Sequence, residues 1–260
     1  MMDAKRQNQL IVEQFSVQAA PFAKLAAHST EDSLRLAREA VELDESDTVL
    51  DVACGPGIVA CDFARHARRV AGIDLTPAMI EQAQTLQAAK GLSNLEWRVG
   101  DVVELPFDSS SFSVVFTRYS FHHMLEPDRV LAEMARVAKP GGRVAVVDVY
   151  SSGPEQAAAY DHAEKLRDPS HVRALGLGEL AGLFEKAGLE DVKVSFYGVD
   201  VDLDELLGSS APEPGAADEV RRIFREDVGV DRLGVNARWA DGSLQFTFPI
   251  AVLVGRKAEA

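Results

Sequence analysis

A glycine-rich turn between an apolar run and a helical pattern constrains this chain more than any other feature of its sequence. Residues 48–54 form an apolar run of strand length, Gly55-Pro-Gly57 follows it, and residues 58–66 have a helical pattern. Small residues at such a turn let the backbone bend sharply and let a ligand approach it closely. A strand, a tight turn and a helix in this order predict an open α/β sheet with a ligand site at its carboxyl edge.

The rest of the chain continues this alternation. The other strand candidates lie at residues 69–73, 95–99, 112–117, 143–149, 191–199 and 244–254, and helical patterns lie at residues 76–90, 127–137 and 177–187. Strands that alternate with helices of this length predict an α/β, Rossmann-like, doubly wound sheet of seven mostly parallel strands. No helical pattern follows the last run, so we expect an antiparallel last strand. Residues 208–217 are rich in Ser, Pro and Gly and predict a flexible loop.

The 260 residues allow a sizeable core with additional cap segments. We expect a helical lid at residues 1–44 and a ligand-binding Rossmann-like core at residues 45–150. Residues 151–243 hold the remaining core elements with cap insertions, and residues 244–260 hold the closing strand and tail.

Charge and composition narrow the class of partner. Lys and Arg number 27 against 41 Asp and Glu, which gives a formal net charge of −14 at pH 7. A field of this sign repels phosphate backbones, so nucleic acid is not expected as a partner. Two cysteines without a zinc or disulfide pattern, no apolar run long enough to span a membrane and a polar beginning predict a cytoplasmic protein.

Two kinds of ligand compete for the glycine turn. Residues 55–60 match G-x-G-x-x-A and Asp74 lies 19 positions beyond Gly55, as in dinucleotide-binding proteins. Asp51, however, would repel a pyrophosphate, and Asp101 after the third strand suits an exocyclic amine. No Walker lysine follows the glycines, and no tyrosine has a lysine four positions on. A cationic ligand with ribose and adenine but no phosphate, such as S-adenosylmethionine (SAM), fits these residues.

Several ordered motifs support this interpretation through resemblance. They are residues 49–57 (VLDVACGPG), 72–74 (GID), 100–107 (GDVVELPF), 121–123 (FHH) and 131–142. Together they resemble the class I SAM-dependent methyltransferases, and most of all the methyltransferase type 11 enzymes of ubiquinone and menaquinone biosynthesis. The resemblance is strong over residues 45–150 and weaker through residues 168–173 and the closing strand.

The resemblance implies SAM as cofactor, with S-adenosylhomocysteine (SAH) as its product, and a role for each matching residue. Asp51 would face the methionine amino group, Asp74 the ribose hydroxyls and Asp101 the adenine amine. The other cofactor residues that it implies are Ala53, Cys54, Gly55 and Gly57 in the turn, Leu75 and Val102 beside the adenine, Thr117 and Arg118 at the methionine end, and Phe15 and Phe22 on a lid helix. Ala53 departs from the usual glycine of this motif.

The sequence says less about the molecule that would accept the methyl group. His122 and His123 follow the fourth strand and are the candidates for proton transfer. Tyr119, His122, Tyr160, His171 and Arg173 are the candidates for substrate contact. We expect no metal, a small and apolar or amphipathic acceptor, and a monomer or homodimer. A SAM-binding protein without methyl transfer and a nicotinamide-dependent oxidoreductase remain as alternatives.

Overall fold

The computed structural model describes residues 3–22 and 31–259. Its helices are α1 (Ala4–Phe22), α2 (Glu31–Ala40), α3 (Ile58–Phe63), α4 (Pro77–Lys90), α5 (Pro127–Val137), α6 (Pro154–Arg167), α7 (Leu177–Lys186), α8 (Leu203–Ser209) and α9 (Ala216–Asp227). Its strands are β1 (Thr48–Val52), β2 (Arg69–Asp74), β3 (Leu95–Val99), β4 (Phe112–Arg118), β5 (Ala138–Ser151), β6 (Leu175–Gly176), β7 (Leu189–Asp202), β8 (Arg238–Ala240) and β9 (Ser243–Lys257). A single 3-10 turn (Phe121–His123) follows β4.

The strands form one sheet in the order β3-β2-β1-β4-β5-β9-β7, with the short strands β6 and β8 added to β5 and β9. Strands β1 to β5 are parallel, whereas β9 is antiparallel to both β5 and β7. The predicted Rossmann-like sheet with an antiparallel last strand is confirmed. The strand order reverses between β1 and β4, and ligands of open α/β sheets bind at such a switch point.

Strand β1 shows why an apolar run became the centre of the sheet. Val49 and Leu50 are fully buried and belong to core clusters on opposite faces of the sheet. Successive side chains of a strand point to opposite faces, so a strand covered on both sides needs apolar residues at every position. Each buried side chain of this size contributes about 1.5–3 kcal/mol to the stability of the fold.

The prediction of a flexible loop over residues 208–217 is wrong at both ends. Helix α8 continues to Ser209 and α9 begins at Ala216, which leaves six residues between them. Helix α9 buries Val220 and Phe224, which are four residues apart and therefore lie on one face of a helix. Charged side chains surround these two residues in the sequence and hide the helical pattern.

Candidate functional site

A cavity opens at the carboxyl ends of the central strands, with α1 on its other side, and holds about 1230 Å³ of empty space including the part open to solvent. We call it the first cavity. The residues with a predicted cofactor role that line it are Phe15, Asp51, Ala53, Cys54, Gly55, Asp74, Leu75, Asp101, Val102 and Arg118. The side chain of Phe22 lies outside the described residues. The first cavity thus gathers ten predicted residues from α1 and from the ends of four strands.

Gly57 and Thr117 were also predicted at the cofactor, but neither lines the first cavity. Gly57 has a φ of 77°, and a Cβ atom there would lie 2.7 Å from the ring of Trp97 and 2.8 Å from Cβ of Ala83. Thr117 is fully buried, and its hydroxyl donates to the carbonyl oxygen of Val52 at 2.7 Å. Gly57 therefore allows α3 to pack closely, and Thr117 ties β4 to β1.

The turn after β1 holds an alanine in a conformation that favours glycine. Ala53 has a φ of 54°, next to Gly55 at 53°. For an L-amino acid with a side chain this left-handed region costs about 1–2 kcal/mol. The turn is therefore strained at the position where the resemblance implies a glycine.

Asp51, at the end of β1, is the most unusual carboxyl group of the first cavity. It is 2% exposed, and its Oδ2 atom has no hydrogen-bond partner among the residues that the structure describes. Burial raises the pKa of Asp51 to about 7, although the positive charge of Arg118 opposes this shift. A buried carboxyl oxygen without a donor favours a ligand that brings a positively charged donor.

Asp74 ends β2 and holds the turn in place. Its Oδ2 atom accepts from the backbone N–H of Gly55 and its Oδ1 atom from the backbone N–H of Thr76, both at 2.8 Å. Burial raises the pKa of Asp74, while these two N–H groups oppose the shift. The carboxylate is therefore fixed between the turn after β1 and the start of α4.

Asp101 lies after β3 and contacts the lid helix. Its Oδ2 atom accepts from Nδ2 of Asn8 on α1 at 2.7 Å, and its Oδ1 atom accepts from the backbone N–H of Val103 at 3.1 Å. The neighbouring Gln7 donates to the carbonyl oxygens of His123 and Ser170 at 2.8 and 2.7 Å. Neither α1 residue could be predicted as part of the site, because nothing in a polar stretch near the chain start indicates what it docks against.

A second cavity adjoins the first, with about 610 Å³ of empty space including the part open to solvent, and Phe15, Tyr119 and His123 line both. Among the predicted substrate residues, Tyr119, His122 and Tyr160 line this second cavity. The cavity also has an apolar wall, made by Val149, Val199, Leu206, Phe248 and Ile250. A molecule in the second cavity would therefore touch residues that also enclose the first.

Two other predicted substrate residues lie outside both cavity linings. His171 is 1% exposed, and its Nε2 atom lies 2.8 Å from Oδ1 of Asp161. Arg173 forms an ion pair with Glu179 at 2.8 Å, with nearly half of its side chain exposed. The ring of His171 packs against that of His122, with centroids 5.5 Å apart. Arg173 lies at the surface.

His122 forms a buried pair with Asp148 of β5. Nδ1 of His122 lies 2.6 Å from Oδ1 of Asp148, and the backbone N–H groups of Ser120, Phe121 and Val149 also donate to this carboxylate, at 3.0, 2.6 and 2.7 Å. Asp148 raises the pKa of His122 against the effect of burial, and His122 in turn lowers the pKa of Asp148. The pair fixes Nδ1 as the bonded nitrogen. Nε2 has no partner in the described part of the chain.

The sequence offered one weak signal for Asp148, a single acid within a run of valines at residues 144–149. The pairing itself could not be predicted, because it depends on β4 and β5 being neighbours in the sheet.

His123 has a different environment from His122. Its Nδ1 atom lies 3.1 Å from the hydroxyl oxygen of Ser170, which donates to Asp168 at 2.6 Å. Burial lowers the pKa of His123 to about 3, so this ring is neutral at physiological pH. It also meets the ring of Phe15 edge to face, with centroids 5.1 Å apart. His123 therefore acts as a packed wall between the two cavities.

Over residues 3–22 and 31–259, no group of three His, Cys, Asp or Glu side chains is placed to hold a metal ion. Within the same residues, no helix has the length and apolar character needed to cross a membrane.

Comparison with known proteins identifies the family. The sequence model described as "Methyltransferase domain" matches residues 50–146, which hold the strands and turns of the first cavity. The chain is 30% identical to the uncharacterized methyltransferase YcgJ of Bacillus subtilis over an alignment of 194 residues. This alignment covers 74% of this chain and 77% of YcgJ. The chain belongs to the SAM-dependent methyltransferases.

Two further comparisons agree with this assignment. The methyltransferase is 30% identical to the demethylmenaquinone methyltransferase of Bacillus subtilis, over 61% of this chain and 78% of that protein. The crystal structure of YcgJ superposes with a TM-score of 0.81 at 26% identity, covering 89% of this methyltransferase and all of the YcgJ chain. The predicted enzyme class is therefore confirmed.

Proposed function

We propose that this methyltransferase holds SAM in the first cavity and transfers its methyl group to a small molecule in the second cavity. The observation that carries the proposal is the shared wall: Phe15, Tyr119 and His123 line both cavities. A methyl group at this wall would leave one cavity and reach an acceptor in the other without crossing bulk water. The apolar wall of the second cavity supports an apolar or amphipathic acceptor.

The residues of the first cavity fit SAM. The orphaned Oδ2 atom of Asp51 suits the ammonium of the methionine part. Asp74 and Asp101, at the ends of β2 and β3, suit the ribose hydroxyls and the adenine amine, while Leu75 and Val102 provide apolar contact to the base. When bound, SAM supplies a methyl group on a positively charged sulfur, which is a good leaving group.

The protein's contribution to this reaction is positioning and exclusion of water. In-line displacement requires the acceptor atom, the methyl carbon and the sulfur to be aligned, and holding them so contributes much of the rate. Helix α1 covers both cavities through Phe15, so we assign residues 1–44 the role of a lid. We further propose His122 as the residue that takes up a proton, since His123 stays neutral and is enclosed by Ser170 and Phe15.

A dinucleotide fits the first cavity less well. A pyrophosphate next to the turn would lie beside Asp51, whose free oxygen has no donor to offer to an anion. Ionising that carboxyl group beside two phosphates costs free energy, whereas ionising it beside an ammonium is favourable. This charge preference supports SAM over a nicotinamide cofactor.

Titration calorimetry with SAH tests the cofactor assignment. We expect one site in the wild-type protein and no heat of binding with NADH. Asp74→Ala should weaken SAH binding by about 2–4 kcal/mol, because it removes the acceptor of two ribose hydroxyls. Asp108→Ala, at an exposed acid outside both cavity linings, is the matched control and should bind as the wild type does. Equal SAH affinity in all three proteins would reject the ribose role of Asp74.

A further inference from the structure

Nε2 of His122 and the hydroxyl of Tyr160 are polar groups of the second cavity without partners in the described residues, and together they indicate which acceptor atom it takes. We propose that the acceptor is an uncharged, mainly apolar molecule methylated on the oxygen of a weakly acidic hydroxyl, a phenol or an enol. His122 receives the hydroxyl proton and Tyr160 donates a hydrogen bond to the same oxygen. This inference rests on the proposed function.

The charges that line the second cavity are already neutralised by protein groups. Glu164 is paired with Arg167, whose Nε and Nη2 atoms donate to it at 2.5–3.3 Å and whose Nη1 atom donates to Ser210 at 2.9 Å. Asp168 accepts from the backbone and the hydroxyl of Ser170. Asp148 accepts from three backbone N–H groups besides His122.

This pairing disfavours charged acceptors. A phosphate or carboxylate would leave water to enter a space lined by three carboxylates, with its one arginine already paired. An ammonium group would find no carboxylate without donors. Removing either charge from water without a new partner costs free energy, so an uncharged molecule is favoured.

Nε2 of His123 and Oε1 of Gln18 also line this cavity without partners in the part of the chain that the structure describes, but both can only accept a hydrogen bond. His122 and Tyr160 are complementary to each other. Nε2 of His122 is the nitrogen left when Asp148 holds Nδ1. The phenol of Tyr160 is 5% exposed, and its oxygen has no hydrogen-bond partner in the described ranges. One group can accept a hydrogen bond and the other can donate one, and both line the same cavity.

An oxygen acceptor matches this pair better than a nitrogen acceptor. A hydroxyl donates its hydrogen to His122 and has two lone pairs, one for the methyl carbon and one for the hydrogen of Tyr160. An amine nitrogen has a single lone pair, which is used in the attack, so the hydroxyl hydrogen of Tyr160 would have no acceptor on the amine. A buried donor without a partner is costly, and sites that bind hydroxyl groups discriminate on this basis.

The step balances in atoms and charge. The hydroxyl oxygen forms a bond to the methyl carbon, and the carbon–sulfur bond breaks with its electron pair going to sulfur. The hydroxyl proton moves to Nε2 of His122, where the ionised Asp148 stabilises the imidazolium. The products are a methyl ether, SAH and a protonated His122, which then returns its proton to solvent.

Three probes that share the naphthyl ring test the acceptor class: 2-naphthol, its isostere 2-naphthylamine and the larger 2-naphthyl phosphate, each with isotopically labelled SAM. We expect the wild type to methylate 2-naphthol at least tenfold faster than the amine and not to methylate the phosphate. Faster transfer to the amine or to the phosphate overturns the inference. If the protein binds SAH but does not methylate 2-naphthol, the inference is also overturned. Absence of SAH binding would instead overturn the proposed function.

Matched variants test the two residues. His122→Asn should lower kcat by about 10²–10⁴-fold, and Tyr160→Phe should lower kcat/KM for 2-naphthol about tenfold. The controls are His162→Asn and Tyr150→Phe. His162 is exposed on α6 and Tyr150 lies on β5 outside both cavity linings, so both variants should keep the wild-type rate. SAH affinity should be unchanged in all four variants. Wild-type rates in His122→Asn or Tyr160→Phe would contradict the assigned roles.

The pH profile separates a proton acceptor from a structural histidine. The wild-type kcat should rise with pH to a plateau as His122 loses its proton, and His122→Asn should lose this rise. The charged and titratable groups around His122 are Asp148 on β5, Glu164, Arg167 and Tyr160 on α6, His123 and Tyr119 after β4, and Asp168 and His171 after α6. A rise that persists in His122→Asn would assign the profile to one of these groups and overturn the role of His122.

Discussion

An unpaired carboxyl oxygen is the single-residue feature that most favours a cationic ligand. Asp51 is nearly completely buried, and its raised pKa follows from the loss of water around it. Neither Asp74 nor Asp101 has an oxygen in this state, because each accepts two hydrogen bonds from protein groups. The free energy of ionising Asp51 is therefore linked to whether a positive ligand is present.

This linkage predicts how SAH affinity depends on pH. Below a pH of about 7 the free protein carries a protonated Asp51, while an ammonium beside it favours the ionised form. Binding should then release a proton, and the Kd should fall up to tenfold per pH unit as pH rises towards 7, then level off. Calorimetry in buffers of different ionisation enthalpy measures the proton. Asp51→Asn should bind more weakly and without proton release, and release that persists in it would contradict the linkage.

The strained Ala53 predicts a stabilising substitution within the site. Ala53→Gly should raise the free energy of unfolding by up to about 1 kcal/mol, because glycine adopts the left-handed region without a clash. Urea denaturation measures this. Ala158→Gly, at an exposed position of α6, is the control and should lower stability by about 1 kcal/mol. If both substitutions destabilise to the same extent, Ala53 is not strained.

At the scale of elements, α1 connects the two cavities. Asn8 bonds the carboxylate assigned to adenine, and Gln7 bonds the backbone of the segments that carry His123 and Ser170. Phe15, two turns further along, lines both cavities. Helix α1 therefore contributes to the walls of both cavities.

A pair of neighbouring substitutions tests this connection. Asn8→Ala removes the bond from α1 to Asp101 and should raise the Kd of SAH about three- to tenfold, since one hydrogen bond to a charged group is lost. Gln9→Ala removes only an exposed bond to Glu13 within α1 and should leave the Kd unchanged. Hydrogen exchange should show faster exchange of α1 amides in Asn8→Ala only. Equal Kd values for the two variants would show that the bond from α1 to Asp101 does not contribute to cofactor binding.

The elements that the sequence predicted are those whose signals are local. Strand β2 contains a continuous apolar run, and Gly91 ends α4 in the left-handed conformation expected of a helix C-terminus. Thr76 lies at the start of α4 as expected, yet its side chain makes no capping bond, and Asp74 accepts from its backbone N–H instead. Helix α6 begins at Pro154 but went unrecognised, because only three of its residues are buried and one of them, Glu164, is charged.

At the scale of the whole molecule, the sequence predicted the sheet and many residues of the first cavity, but only Tyr119, His122 and Tyr160 as substrate residues of the second. Asp51, Asp74 and Asp101 could be placed together because each follows a parallel strand, and parallel strands end at one edge. The pairing of His122 with Asp148 depends on strand order, and the proximity of Tyr160 depends on how α6 packs over the sheet. Such long-range contacts leave no mark in the local pattern of residues.

The net charge of −14 also has a more specific meaning at this scale. Four of the acidic residues line the first cavity, Asp51, Asp74, Asp101 and Glu126, and three others line the second. Those of the second cavity are paired with protein donors, whereas Asp51 in the first keeps one oxygen free. The two cavities thus have the same sign of fixed charge but favour different ligands, one cationic and one uncharged.

A crystal structure of the complex with SAH tests the two-cavity account most directly. We expect the sulfur atom at the wall formed by Phe15, Tyr119 and His123, with the ammonium within hydrogen-bond distance of Oδ2 of Asp51 and the adenine beside Asp101. From there the methyl group of SAM would face the second cavity. A sulfur atom turned away from this wall, or SAH bound in the second cavity, would contradict the account.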